Sequence, residues 1–499
     1  MIPRTICRAA LLALLYAATC PSSLAQKPPK ESWTGMYFNG KKIGYSNIKT
    51  EDSSFHGKSA VKITSDSITR IELLGNKVSQ DASFTLFTDS SYTPLYQEFK
   101  MSSNGSSMAF KADYLPGKIR CVVNAGGGDT VKEVPVPPGV KLVGDSSLAN
   151  QGKPVPVGHK ETFHYLNPVT LALDRLDIEV LASEMVRLGG TDYKALKIKA
   201  TTPLGAMTSW ETLSGEVLKG ELPLGMSIYK ESREVAHNMS ASMPLFAVAG
   251  FAPAVASSYT PPPDFAAATA ISVEKPIQKP RETRSLSVVV SGIDDKARVI
   301  SDSRQLAASV AGQAGAHRLD VVVKQFDPNT SVKLPITSPN MKSYLDRAAY
   351  LETDDPQIRD TALEIKGTEK NAYKVASAIR KWVHKTMKPD YTIGVPRSCV
   401  NLYRDPKGVC RDYATLFAGL ARAAGVPTRL AGGILYAEGK FYYHAWVECW
   451  VGEWVAFDPT LTTDYVDATH VKFSQGDVTD MYNVAGIVGR IKLKVLSVQ

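Results

Sequence analysis

The period of the hydrophobic pattern changes along this chain, and that change most constrains the possible folds. From about Trp33 to Val235, short segments such as Ala82 to Thr88 and Tyr193 to Lys199 alternate apolar and polar residues. A period of two is typical of antiparallel strands with one buried face. Turn signals separate these segments at Asn39-Gly40, Asn104-Gly105, Pro116-Gly117, Gly189-Gly190 and Ser214-Gly215. We therefore predict an antiparallel β domain over residues 26–236.

From about Tyr344 the period becomes helical. Apolar residues at three- and four-residue steps predict an amphipathic helix over roughly Glu369 to Met387. A second helix is predicted to start near Cys410 and to stop at Gly425, which Pro427 follows. Three strand-like runs come next: Thr428 to Tyr436, Phe441 to Val451 and Trp454 to Asp458. Helices followed by an antiparallel meander predict an α+β domain over residues 341–499, preceded by mainly antiparallel β domains.

Two shorter stretches separate these regions. Residues 237–284 are rich in Ala, Ser and Pro and include Pro261-Pro262-Pro263, which favours an extended linker. Residues 285–340 contain two predicted strands, Leu286 to Val290 and Leu319 to Val323, and are assigned to a small β unit.

The first 25 residues have the pattern of a signal peptide. Arg4 and Arg8 precede an apolar stretch from Ala9 to Thr19, and Ser23-Leu24-Ala25 is a small-residue cleavage site. No later segment reaches ~18 uninterrupted apolar residues, so no transmembrane helix is expected. The protein is predicted to be exported, to the periplasm or the extracellular space.

The charge of the protein excludes one class of partner. The formal net charge of +9 is spread thinly, without a run of about five or six Lys/Arg residues or a nucleic-acid motif. Nucleic-acid binding is therefore not expected, whereas association with an anionic cell envelope stays open. The oligomeric state is not indicated.

Four cysteines remain after the predicted leader: Cys121, Cys399, Cys410 and Cys449. Their wide spacing shows no CxxC pattern, so neither a metal site nor a cofactor is predicted. A Cys399–Cys449 disulfide with Cys121 free is left open.

Cys410 has the features of a nucleophile. A cysteine in the first turn of a helix lies where unpaired N–H groups and the positive end of the helix dipole stabilise a thiolate. Gly408 allows a tight approach of the preceding loop. Cys399 precedes no predicted helix, and alternation places Cys449 on the strand face away from His444, so both are weaker candidates.

His444 and Asp458 are expected to complete the site. Both lie seven positions from Val451, and a hairpin centred there sets His444 opposite Asp458 or within one residue of it. Each of the three residues alone is more typical of a packed core position. Together they predict a triad in which Cys410 attacks, His444 transfers the proton and Asp458 orients the imidazole.

Three segments of the sequence resemble a known family. KGVCRDYATLFAGLARAAGVPTRL, YYHAWVECW and GEWVAFDPT are similar, in order and spacing, to the three motif blocks of the transglutaminase-like superfamily. The resemblance runs from about Tyr350 to Tyr465 and implies a papain-like fold in a secreted, multi-domain bacterial protein. It also implies that Cys410 is the nucleophile, His444 the base and Asp458 the orienting acid. Val409 departs from the small acidic or polar residue that the family often has before the cysteine.

The expected function is that of an exported cysteine-dependent acyl-transfer enzyme. It would act on peptide or side-chain amide bonds of a peptide or protein substrate through a Cys410 thioester, with hydrolysis slightly favoured over amine transfer. Peptidase, deamidase and transferase stay open. The first alternative is a non-catalytic peptide-binding protein with a retained transglutaminase-like fold, and the second is an apolar ligand site in the β domain.

Overall fold

The computed structural model describes residues 31–73, 75–143, 155–248, 265–293, 299–392 and 394–499. The signal peptide predicted at 1–25 lies outside the described residues. The described residues divide into two compact units, one of residues 31–123 and 131–248, the other of residues 124–130 and 265–499. The finer domain boundaries stay predictions.

The first unit is one antiparallel sheet of fifteen described strands, in which most neighbours are consecutive in sequence. At two of the predicted Asn-Gly turns, Asn39 and Gly40 both have positive φ (49° and 80°), as do Asn104 and Gly105 (44° and 80°), which is typical of tight hairpin turns. The strands are β1 Glu31–Phe38, β2 Lys41–Phe55, β3 Lys58–Leu73, β4 Asn76–Thr88, β5 Pro94–Ser103, β6 Ser106–Leu115, β7 Lys118–Asn124, β8 Asp129–Pro135, β9 Lys160–Asn167, β10 Ala172–Leu188, β11 Thr191–Thr202, β12 Gly205–Thr212, β13 Val217–Glu221, β14 Met226–Glu231 and β15 Phe246–Val248. Helix α1 is Arg233–His237.

The second unit combines helices with two sheets and a short strand pair. Its helices are α2 Phe265–Thr269, α3 Pro356–Lys366, α4 Ala372–Thr386, α5 Cys399–Arg404, α6 Cys410–Ala423 and α7 Val478–Met481. Its strands are β16 Ile271–Ser272, β17 Ser285–Ser291, β18 Gln305–Ser309, β19 Ala316–Val322, β20 Lys388–Pro389, β21 Lys407–Gly408, β22 Thr428–Ala437, β23 Lys440–Trp450, β24 Trp454–Phe457, β25 Val471–Gly476 and β26 Lys492–Val498. Among the described residues, no helix is both long enough and apolar enough to span a bilayer.

Helix α6 is the centre of the second unit. Every residue from Cys410 to Arg422 is buried, because α6 packs against α3, α4 and α5 and against strands β22 and β23. The sheet beside it has the order β16-β23-β22-β25, with β24 paired to β23. Helices followed by antiparallel strands confirm the predicted α+β fold after a mainly antiparallel β region.

The other sheet of this unit has the order β18-β19-β17-β26. The two strands predicted in residues 285–340 lie in it as β17 and β19, and the C-terminal strand β26 pairs with β17. Residues of the predicted linker also form strands: β15 pairs with β10 in the first unit, and β16 pairs with β23 in the second.

Candidate active site

Cys410 is the first residue of α6 and is fully buried. The loop before it requires glycine, because Gly408 has φ +152° and a Cβ there would lie 2.3 Å from Asp412 Oδ2. Asp412 caps the N-terminus of the helix, since its Oδ2 accepts a hydrogen bond from the Val409 N–H at 2.9 Å. The thiol therefore lies at the positive end of a buried helix whose first turn has one defined geometry.

Two buried guanidinium groups support this first turn. Arg411 donates to the Val395 carbonyl at 2.7 Å, and Arg397 Nη2 lies 3.9 Å from Asp412 Oδ2. Both also lie within 4 Å of the Asp412 carboxylate, so they offset its negative charge at the N-terminal end of α6.

His444 lies on β23, the strand that packs against α6, and is 1% exposed. Its Nε2 donates to Asp458 Oδ2 at 2.8 Å, while its Nδ1 has no hydrogen-bond partner within the described ranges. A proton on Nε2 leaves the lone pair of the neutral ring on Nδ1. Nδ1 is therefore the atom that can accept a proton from a thiol.

Asp458 follows directly after β24, but the hairpin register differs from the prediction. Trp450 pairs with Trp454, so the turn is centred on Gly452 rather than on Val451. Continued along the two strands, this register sets His444 opposite Thr460. The prediction that His444 lies opposite Asp458, or within one residue of it, is therefore wrong. A shift of two residues keeps both side chains on one face, and diagonal neighbours are within reach of long side chains.

The carboxylate of Asp458 is held on both oxygens. Oδ1 accepts from the Thr460 N–H at 2.8 Å and from its hydroxyl at 2.7 Å. Burial would raise the pKa of Asp458, but the imidazoles of His444 and His470 lower that pKa well below its ordinary value. Asp458 is therefore ionised and fixed at neutral pH.

His470 is a second imidazole on the same carboxylate, and the sequence analysis missed it. Its Nε2 lies 3.1 Å from Asp458 Oδ2, and its Nδ1 lies 3.2 Å from the Asp467 carbonyl and 3.5 Å from Asp467 Oδ1. Both ring nitrogens face acceptors, so both must carry protons to donate. Burial opposes this charge, but Asp467 and Asp458 raise the pKa of His470 above its ordinary value.

The two histidines therefore differ in charge. Burial lowers the pKa of His444, and the charge of His470 lowers it further, although Asp458 acts in the opposite direction. His470 is the imidazolium and His444 the neutral base.

Arg281 supports His470 from the stretch predicted to be a linker. Its Nη1 lies 2.6 Å from Asp467 Oδ2, and Nη2 donates to the Tyr436 carbonyl. Asp467 is 1% exposed, so its charge needs such a partner. The Ala- and Pro-rich composition around Arg281 carried no signal of this role.

His444, Asp458 and His470 form the group of described residues whose ligand atoms lie close enough to hold a metal ion, within 4.8 Å of one another. Nitrogen and oxygen ligands about 2.0–2.2 Å from a tetrahedral zinc ion would lie roughly 3.3 Å apart. The imidazole nitrogens here lie 2.8 and 3.1 Å from Asp458 Oδ2, which are hydrogen-bond distances. Because the nitrogens lie at hydrogen-bond distances from one carboxylate oxygen, the contacts fit a proton better than a metal.

The remaining cysteines are free thiols, and the Cys399–Cys449 disulfide left open by the sequence is not formed. The prediction that Cys399 precedes no helix is wrong, because Cys399 is the first residue of α5. Its Sγ lies 3.3 Å from Glu352 Oε2, and burial together with that carboxylate raises the pKa of the thiol well above its ordinary value. Burial also raises the pKa of Cys449 and of Cys121 to about 12. A helix start alone therefore does not distinguish a reactive cysteine.

One protein family matches the part of the chain that carries the triad residues. The Transglutaminase-like superfamily matches residues 359–459, the span that contains Cys410, His444 and Asp458. Residues 359–459 are a transglutaminase-like domain. Arg281, Asp467 and His470 lie outside that span, which is why the family motifs did not reveal them.

Two curated relatives are similar to this chain over part of their length. An uncharacterized protein of Mycobacterium leprae is 32% identical over 129 residues, which are 23% of this chain and 44% of that protein. A protein-glutamine gamma-glutamyltransferase of Pseudomonas aeruginosa is 35% identical over 102 residues, which are 17% of this chain and 15% of that enzyme. The chain thus spans less than half the length of these two relatives.

Solved structures show distant similarity. A candidate cysteine protease from Cytophaga hutchinsonii is 16% identical, with a TM-score of 0.32 over 44% of this chain and 87% of that one. A β-barrel-like protein from Brucella abortus, of a domain family of unknown function, is 9% identical, with a TM-score of 0.32 over 42% of this chain and 96% of that one.

Proposed function

We propose that this protein is an exported cysteine-dependent acyl-transfer enzyme that acts on peptide or side-chain amide bonds, with hydrolysis slightly favoured over amine transfer. The observation that carries the proposal is the orientation of His444. Asp458 holds its Nε2 at 2.8 Å, and Nδ1 has no partner among the described residues. The strand that carries this base packs against the helix that begins at Cys410.

The first half-reaction forms a thioester. His444 Nδ1 takes the thiol proton of Cys410 as Sγ attacks the amide carbonyl carbon, and a C–S bond forms. The imidazolium then gives this proton to the leaving nitrogen as the C–N bond breaks, and an amine, or ammonia from a side-chain amide, is released. Asp458 stabilises the imidazolium through its hydrogen bond to Nε2 and stays ionised throughout.

The second half-reaction resolves the thioester. Water gives its proton to His444 Nδ1 and attacks the carbonyl carbon, the C–S bond breaks, and the thiolate regains the proton as a carboxylic acid leaves. A primary amine would follow the same course and leave as a new amide. We favour water because an exported enzyme works in an excess of water and the sequence has no motif typical of a dedicated amine site.

One observation favours the alternative of a peptide-binding protein that retains this fold. Cys410 is 0% exposed, whereas a nucleophile must meet its substrate. The two functions differ in whether Cys410 reacts, so a product assay separates them.

The purified full-length protein is offered a peptide library rich in Gln and Asn, with and without a primary amine, and the products are identified by mass spectrometry. We expect hydrolysed products that disappear in Cys410→Ala and persist in Cys121→Ala, which removes a buried cysteine of the other unit. Efficient amine incorporation would mean that the protein is a transferase and not a hydrolase. The absence of both products, with an unreactive Cys410, would favour the binding protein.

A further inference from the structure

A cavity of about 290 Å³ in the second unit lies outside the triad. Its volume is close to the lower end of the range for small-molecule sites, which suits a group the size of one or two amino acids. Strand β24 forms part of its wall, with Trp454, Val455 and Ala456.

Aromatic rings form much of the wall. Phe326 and Tyr373 are stacked, with ring centroids 5.3 Å apart. Both are only partly buried, as are Trp454 and Tyr465, so each keeps some ring surface accessible. Such walls favour an apolar body in the cavity.

Three cations also line the cavity: Arg284, Arg304 and Lys324. The guanidinium of Arg284 lies 4.2 Å from the centre of the Tyr465 ring and has no carboxylate partner within the described ranges. Lys324 forms an ion pair with Glu453. The cavity therefore presents at least one cation whose charge is not matched by a neighbouring carboxylate.

Arg304 is the strongest sign of a ligand. It is 7% exposed, and its Nε–H has no partner in the part of the protein that the structure describes. Its Nη2 donates to the Asp467 carbonyl at 3.0 Å, which fixes the side chain. A buried N–H without an acceptor costs about 1–3 kcal/mol, and an acceptor in the cavity would remove that cost.

The acids around the cavity are already paired. Asp464, the carboxylate among the lining residues, lies 2.6 Å from Arg380 Nη2. Near Arg304, Asp302 and Glu448 share Lys472, Glu448 also contacts Arg429 at 2.8 Å, and Asp467 contacts Arg281 at 2.6 Å. The charge left over is positive.

The cavity adjoins the residues of the triad. Ala456 and Val466 line it, and both belong to the buried apolar cluster that contains Trp446, whose ring stacks on that of His444. Strand β24 ends at Phe457, directly before Asp458. A ligand in the cavity would thus lie beside the framework that holds the base.

We propose that this cavity binds the carboxylate of a peptide, with the adjoining apolar part of the peptide against the aromatic wall. The carboxylate can be that of an acidic residue or that of the peptide's own C-terminus, since a guanidinium pairs with either in the same planar geometry. The proposal does not depend on the chemistry at Cys410.

Binding is measured by calorimetry on the full-length protein with Cys410→Ser, so that no probe is consumed. The probes are acetyl-Ala-Phe-Ala with a free carboxylate, the same peptide amidated, and amidated acetyl-Ala-Phe-Glu. We expect at least one acid to bind about tenfold more tightly than the neutral amide, and Arg284→Gln to weaken that acid about tenfold. Arg318→Gln, an exposed arginine on β19 outside the cavity, should change nothing. Arg304→Gln should act as Arg284→Gln does, provided that the variant folds.

The acid that binds identifies the source of the carboxylate. The proposal would be overturned if the neutral amide bound as tightly as the acids, or if neither acid bound at millimolar concentration. It would also be overturned if Arg284→Gln left the affinity for the acid unchanged. Because Cys410 is absent from the assay, these outcomes leave the proposed amide chemistry untouched.

Discussion

At the scale of single residues, the unusual feature is one carboxylate that holds two imidazoles of different charge. Asp458 Oδ2 contacts His444 at 2.8 Å and His470 at 3.1 Å. Asp467 faces the other nitrogen of His470, whereas Nδ1 of His444 is left to act as a base. The charge of His470 should therefore keep His444 neutral at lower pH than Asp458 alone would allow.

Replacing His470 by Asn tests this arrangement. Without the cation, the pKa of His444 should rise, so the acid limb of the alkylation rate of Cys410 should move to higher pH. A merely structural role would lower the rate equally at every pH. His384→Asn is the control, because His384 also bonds this loop, at the Pro459 carbonyl, without contacting Asp458.

His470→Asn should also change stability in a pH-dependent way. The folded-state pKa of His470 is raised. The contribution of His470 to the free energy of unfolding is therefore complete below its unfolded-state pKa of about 6.5. It is lost as pH rises through the folded-state pKa. In urea unfolding, the difference between the original protein and the variant should be larger at pH 5.5 than at pH 9. A difference that grows with pH would mean that His470 is neutral in the folded protein.

Asp458→Asn should leave a folded protein with much lower turnover, since His444 loses its charged orienting partner. The matching change in a serine triad costs ~10⁴-fold. Asp346→Asn, which removes a half-exposed carboxylate paired with Lys342, is the control. An unchanged rate would mean that another residue orients His444.

At the scale of elements, the start of α6 depends on close contact at Gly408. A Cβ there would meet Asp412 at 2.3 Å and Arg397 at 2.8 Å. Gly408→Ala should lower the free energy of unfolding by about 1–3 kcal/mol and slow alkylation of Cys410. Gly439→Ala is the matched control, because Gly439 also has positive φ (+85°) but open space around it. It should cost about 1 kcal/mol or less and leave alkylation unchanged; equal effects of the two variants on labelling would contradict the role of this contact.

The elements near the site were largely predictable because their periods are strong. The predicted helix from Glu369 to Met387 is observed as α4, and the run from Phe441 to Val451 as β23. The hairpin register was not predictable. The alternation of apolar and polar residues shows which face of a strand a side chain lies on, but the turn decides which residues of the two strands pair. His470 and Arg281 were missed because their roles arise from tertiary contacts that no local pattern encodes. The helix at Cys399 was missed because α5 has only six residues, too few for a periodic signal.

At the scale of the whole molecule, the C-terminal strand completes a sheet that begins some two hundred positions earlier. Strand β26 pairs with β17, and Leu493 lies opposite Val290. Leu493 is 8% exposed and Leu496 is 47% exposed on the same strand. Leu493→Ala should lower the free energy of unfolding of this unit by about 2–3 kcal/mol, and Leu496→Ala by at most about 0.5 kcal/mol. Equal effects in urea unfolding would mean that the strand does not pack in this way.

The central claim is that Cys410 is the activated thiol of this protein, and its alkylation rate tests that claim most directly. The other described cysteines are internal controls, since the pKa of Cys121 and of Cys449 is raised to about 12 and that of Cys399 is well above its ordinary value. The full-length protein is treated with a limiting amount of a thiol-directed electrophile at neutral pH, and each modified cysteine is quantified by mass spectrometry. The account predicts that Cys410 reacts at least tenfold faster than the others, and that His444→Ala slows Cys410 alone. Faster labelling of Cys399, Cys449 or Cys121, or a Cys410 rate unaffected by His444→Ala, would contradict it.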